Sequence, residues 1–130
     1  MTSPYQLYED LRDDLEARIR ILTPEEGGRN LPPYNGIRWN FRYATTNNNR
    51  TYFPIYPDFY NPETSNSWRR ELPLPVNEWL YARMYSIESE HSTRVHQELM
   101  RAGVAFYGCE GSRIIAEGTV TRITGLFEER

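Results

Sequence analysis

The chain has 130 residues, 38% of them apolar, and a mean hydropathy of -0.75, so it is one domain whose interior has to draw on ten Tyr, five Phe and three Trp. A net charge of -3 and a pI near 5.4 lack the strongly basic balance of a typical nucleic-acid binder, although all fifteen basic residues are arginine. The single cysteine, Cys109, excludes an intramolecular disulfide, no apolar run is long enough to span a bilayer, and the acidic start MTSPYQLYEDLRDD is unlike a signal peptide, so a cytoplasmic location is expected.

In chain order, Ser3 and Pro4 read as a helix N-cap and first position, and Leu7, Tyr8, Leu11 and Leu15 recur at helical spacing. A short helix from about Pro4 to Asp14 is expected, covering one end or edge of the sheet, with binding of a partner as the rival role. Ala17, Ile19 and Ile21 then alternate with Glu16, Arg18 and Arg20, the period of a strand with one buried face. Pro24 ends that strand, Glu25 to Arg29 carry charge and two glycines, and Pro32, Pro33 and Asn35-Gly36 turn the chain. From Ile37 to Tyr43 a second strand places Ile37, Trp39, Phe41 and Tyr43 inward and Arg38, Asn40 and Arg42 outward.

The Asn-, Pro- and Tyr-rich stretch from Ala44 to Arg70 holds one short strand near Arg50 to Tyr56 and is otherwise loop. A strand from Trp79 to Ile87 turns Leu80, Ala82 and Met84 one way and Trp79, Tyr81, Arg83 and Tyr85 the other. Ser92 to Arg101 reads as a helix closed by Gly103, with Val95 and Leu99 inward. Val104 to Gly108 and Arg113 to Ile123 are the last two strands, with Ile114, Ala116, Gly118 and Val120 on the core side.

The run LEARIRILTPEEGGRNLPPYNGIRWNFRY from Leu15 to Tyr43, together with Glu110-Gly111-Ser112-Arg113 followed by IIAEGTVTRI, resembles the opening and closing segments of the third, C-terminal β-barrel domain of bacterial elongation factor Tu. The resemblance implies an all-β, six-stranded antiparallel barrel over residues 15–125; the N-terminal helical extension over 1–14 lies outside it, the helix before the last two strands sits in a loop longer than the family's, and residues 126–130 form a tail. It also implies a surface near the T arm of transfer RNA, carried onto Arg29, Asn40, Glu110 and Gly111; Arg38, Arg42 and Arg113 join that surface by pattern. The chain departs from the family where Pro75-Val76-Asn77 replaces Pro-Gly-Asp and where Ala44 stands in place of an arginine after the aromatic strand.

No GxxxxGK[ST] loop exists and no lysine could fill one, so a GTPase is excluded and no bound nucleotide is expected. His91 and His96 are too far apart for adjacent helical turns and read as solvated, Cys109 as a small buried thiol, and the carboxylate pairs as element ends, so neither catalysis, a metal nor a cofactor is expected. Three surfaces remain. Arg29 and Arg113 either contact phosphate or staple loops by pairing with Glu26 or Glu110. The stripe Trp79, Tyr81, Arg83 and Tyr85 either stacks bases, anchors a protein or packs beneath the N-terminal helix. The loop from Asn47 to Trp68 is rich in residues that adaptable binding loops favour. The expectation is a non-catalytic binding module contacting a protein linked to translation, such as a GTPase domain or translation factor, without membrane association; the alternative is a weak tRNA or RNA binder using the arginine face.

Overall fold

Alternation of apolar and polar residues makes the first strand, β1 (Leu15–Ile21), where Leu15, Ala17, Ile19 and Ile21 are buried and Arg18 is exposed. The computed structural model describes residues 5–8, 10–44, 52–86 and 96–126. After a 3-10 turn (Pro24–Glu26) come β2 (Asn40–Tyr43), β3 (Ile55–Tyr60), β4 (Trp79–Ser86), β5 (Ala105–Glu110) and β6 (Arg113–Ile123). They form one six-stranded sheet, paired antiparallel throughout, in the order β2-β5-β6-β1-β4-β3.

The sheet is curled, and its two outer strands approach each other. Phe41 on β2 donates to the Phe53 carbonyl at 2.7 Å and accepts from the Phe53 amide at 2.8 Å, just before β3 begins. This bridge satisfies backbone groups that an open edge would expose. Inside lie Trp39, Phe41, Phe59 and Phe106 with Leu15, Ile19, Ile55 and Met84, all fully buried. Phe41 stacks on Phe106 at 4.5 Å, and Trp39 meets Phe59 edge to face at 6.0 Å. The expected aromatic core is therefore present.

Several expectations are corrected. The second strand starts at Asn40, opposite Cys109, where its pairing with β5 ends, and Ile37 to Trp39 are not in strand. The strand expected near Arg50 to Tyr56 lies at Ile55–Tyr60 and accepts Pro57, as an outer strand can. In β6 a bulge sets Cys109 opposite Ile114 and Gly108 opposite Ala116, so the additional residue Ile115 enters the core while Ile114 is only half-buried.

The described residues of the N-terminal segment form no helix. The Tyr5 carbonyl accepts from the Ser67 amide at 2.7 Å, the Leu7 amide donates to Asp58 at 3.3 Å, and the Tyr8 ring meets Tyr85 at 4.9 Å. These tertiary partners take backbone groups that a helix would pair internally, and they override the local spacing. Of the second expected helix, residues 96–99 are helical and 92–95 lie outside the described residues, Val95 among them. Its inward side chains are His96 and Met100, whereas Leu99 is 37% exposed. His96 is fully buried, not solvated, and its Nδ1 lies 2.7 Å from the Tyr43 hydroxyl.

Candidate interaction surface

The first glycine-arginine corner follows from a compact set of contacts after β1. Thr23 caps the 3-10 turn in a capping box with Glu26, and Arg20 grips both Glu26 carboxylate oxygens at 2.9 and 2.8 Å. The Arg20 hydrogen bonds, followed by the one from the Thr23 amide, draw the Glu26 carboxyl down to about 2, and its hydrogen bonds to Glu26 and Glu117 push the Arg20 pKa up. Gly27 then takes φ 95, the left-handed cap conformation. Gly28 serves a different need: a Cβ there would collide with the Leu22 carbonyl oxygen and lie 2.8 Å from its carbonyl carbon. Gly28→Ala is accordingly expected to cost about 1–3 kcal/mol, because backbone has to move. Urea unfolding of the variant checks this, and an unchanged midpoint would remove the close-approach argument.

The corner delivers Arg29 to the β5–β6 hairpin, where its Nε pairs with Glu110 Oε1 at 2.8 Å. Two motifs far apart in sequence thus meet, and the loop-stapling reading of Arg29 holds, with Glu110 as the partner. Gly111, at φ 59, makes the hairpin turn. Arg113 lines a shallow, open depression of 460 Å³ with Arg29, Asn30, Leu31 and Glu110, and no carboxylate among the described residues pairs with it. The remaining members of the expected arginine face are dispersed. Arg38 lies over the Tyr56 ring at 5.8 Å and Arg42 over Tyr107 at 5.1 Å, while Asn40 sits opposite Cys109 on β2.

The aromatic stripe on β4 divides in two. Arg83 and Tyr85 are 8% and 2% exposed. Arg83 lies 3.8 Å from the buried Asp58, donates to the Ser65 carbonyl and the Ser67 hydroxyl at 3.1 Å, and is covered by the Tyr60 ring. Tyr85 lies beneath Tyr8, and burial raises its pKa. These two residues are therefore structural and are withdrawn from the candidate surface, because the N-terminal segment and the turn after β3 cover their half of the strand. Trp79 and Tyr81 remain 45% and 41% exposed.

Trp79 and Tyr81 have neighbours that the sequence did not single out. Antiparallel pairing sets Arg18 opposite Tyr81 and Arg20 opposite Trp79, and the Arg18 guanidinium lies over the Trp79 ring at 5.1 Å. On the other side the Tyr60 ring stands 6.3 Å from Tyr81. The Tyr60 hydroxyl donates to Glu16 at 3.1 Å; burial first, and then the Glu16 charge, push its pKa up to about 12. The charges nearby are largely engaged: Glu117 takes Arg20 Nε at 2.9 Å and Glu16 takes Arg122 at 2.7 Å. Alternation alone put Arg18 on the outer face; only strand pairing brings it to Trp79.

Of the third candidate surface, residues 47–51 lie outside the described residues. The remainder is β3 and a turn held by its own backbone bonds, Ser65 amide to Asn61 carbonyl at 2.7 Å and Asn61 amide to Asn66 carbonyl at 2.8 Å. Cys109 is buried on β5, where burial raises its pKa. Among the described residues no group of three or more His, Cys, Asp or Glu is placed to hold a metal ion, and no helix is long and apolar enough to cross a membrane. Comparison with protein-family models finds no match for this chain, and comparison with curated proteins finds none similar to it.

Proposed function

We propose that this chain is a non-catalytic protein-binding module that engages its partner through the outer face around Trp79, Tyr81 and Arg18. The observation that carries the reading is the exposure of two large aromatic side chains on successive outward positions of one strand, held in place by a guanidinium on one side and Tyr60 on the other. Trp, Tyr and Arg are the residues in which binding energy concentrates at protein interfaces, and rings fixed by a sheet lose little conformational freedom on association. Kinship with the third domain of elongation factor Tu belongs to the same proposal. It rests on the two glycine-arginine motifs, and the meeting of Arg29 with Glu110 and the curled antiparallel sheet support it. A partner connected with translation follows from that kinship.

The RNA alternative draws less support, since Arg29 is tied to a carboxylate and Arg38 and Arg42 lie on tyrosine rings, leaving Arg113 as the member of that face without a described partner. Affinity capture with the wild-type chain and with Trp79→Ala/Tyr81→Ala is expected to show partners lost from the variant, corresponding to about 2 kcal/mol or more for a hot spot. Partners retained at wild-type levels by the variant would reject the face. Retention of tRNA on a gel at low salt, falling steeply as salt is added, would instead favour the RNA reading.

A further inference from the structure

The geometry points to an acidic protein segment as the occupant of the Trp79–Tyr81 face, with a partner carboxylate on Arg18 and an adjoining apolar side chain on the two rings; the inference rests on the protein-binding reading and specifies its partner. Its basis is the distribution of charge over β1, β4 and β6. Glu117 and Glu26 hold Arg20, which also donates to Asn77 at 2.8 Å, and Glu16 holds Arg122 while accepting from Tyr60. Each of these carboxylates already has a cation. Arg18 stands opposite Tyr81 on β4 and Thr119 on β6, neither of which carries a charge to match it, and among the described residues no carboxylate pairs with it.

An arginine lying on an indole is already oriented and partly desolvated, and its planar fork can accept both oxygens of a carboxylate without giving up the ring contact. The complement is therefore one carboxylate beside an apolar group. A polyphosphate backbone fits less well, because Glu16, Glu26 and Glu117 balance Arg18, Arg20 and Arg122 across the face and the whole chain carries -3. A second phosphate would meet carboxylates rather than guanidinium groups.

The test uses the full chain and the exposed Trp79 as a fluorescent reporter, with three probes: the capped hexapeptide Gly-Glu-Leu-Phe-Gly-Gly, its Gly-Gln-Leu-Phe-Gly-Gly counterpart, and oligo(dT). The acidic peptide is expected to bind about threefold to tenfold more tightly than the amide peptide, with the difference shrinking as salt is added. Arg18→Gln should erase that difference by weakening the acidic peptide more than the amide peptide, with a thermal melt showing that the variant is folded. Trp79→Ala, read by calorimetry because its reporter is gone, should weaken both peptides. Equal binding of the two peptides to wild type overturns the acidic-partner inference and leaves the protein-binding reading standing. Binding of neither peptide overturns both, and oligo(dT) binding more tightly than the acidic peptide overturns the inference in favour of nucleic acid.

Discussion

Asp58→Ala is expected to destabilise the fold by about 3–5 kcal/mol, the loss that follows when one partner of a buried charge pair is removed. Asp58 is fully buried on β3 and accepts from the Asn35 side-chain amide at 3.0 Å, the Ser67 hydroxyl at 2.7 Å and the Leu7 amide at 3.3 Å, with Arg83 at 3.8 Å. Alanine leaves the Arg83 guanidinium in the interior with only neutral acceptors, the Ser65 carbonyl and the Ser67 hydroxyl. It also removes one anchor of the N-terminal segment, the bond donated by the Leu7 amide. Urea unfolding gives the total loss. Comparing Asp58→Ala with Asp58→Ala/Arg83→Met separates the stranded charge from the lost hydrogen bonds, because the second substitution should recover a substantial part of the deficit. A loss under about 1 kcal/mol, the scale of one ordinary hydrogen bond, would show that Asp58 does not organise this corner.

Phe41→Ala is expected to cost a similar amount, about 3–5 kcal/mol, for a different reason. The Phe41 ring is fully buried, stacks on Phe106 at 4.5 Å and meets Tyr43 edge to face at 5.0 Å, so truncation leaves a cavity lined by aromatic rings that cannot all move to fill it. The backbone of Phe41 also forms the bridge to Phe53 that joins the two outer strands. Hydrogen exchange should accordingly speed up at the Phe53 amide by more than it does at the β1–β6 pairs on the far side of the sheet. Uniform acceleration throughout would mean that the variant only lowers global stability and that closure has no local weakness at this bridge.

The two expectations draw on different information. Phe41 was legible as a core residue because Ile37, Trp39, Phe41 and Tyr43 alternate with polar residues. Asp58 was not, since nothing in the run from Ala44 to Arg70 separates a buried carboxylate from a solvated one; its four partners come from the N-terminal segment, the Asn35 turn, the turn after β3 and β4. By sequence Asn35 is only a turn residue. Its side-chain oxygen in fact accepts from the Phe59 amide at 2.9 Å, while its amide donates to Asp58 and to the Phe59 and Trp68 carbonyls. Asn77, in the turn before β4, takes the left-handed conformation at φ 63, which asparagine tolerates better than most residues.

The stripe on β4 shows the same limit within a single strand. Trp79, Tyr81, Arg83 and Tyr85 share an outward register, but a register says only which side of the sheet a residue is on, not what lies over it. The turn after β3 and the N-terminal segment descend on one half and leave the other bare. Burial of Ile115 likewise depends on a bulge, which shifts the inward register by one residue and is invisible to a count of alternating positions.

By itself the order of residues determined the strand-rich class, the aromatic interior, the inward faces of β1 and β2, and the two glycine-bearing corners, because each of these depends on neighbours a few positions apart. Tertiary structure alone decided that Arg29 is held by Glu110, that Arg83 and His96 are buried, and that Arg18 lies on Trp79. Such pairings join strands and loops distant along the chain, and their energies arise only once the sheet has curled and brought those segments within a few ångströms of one another.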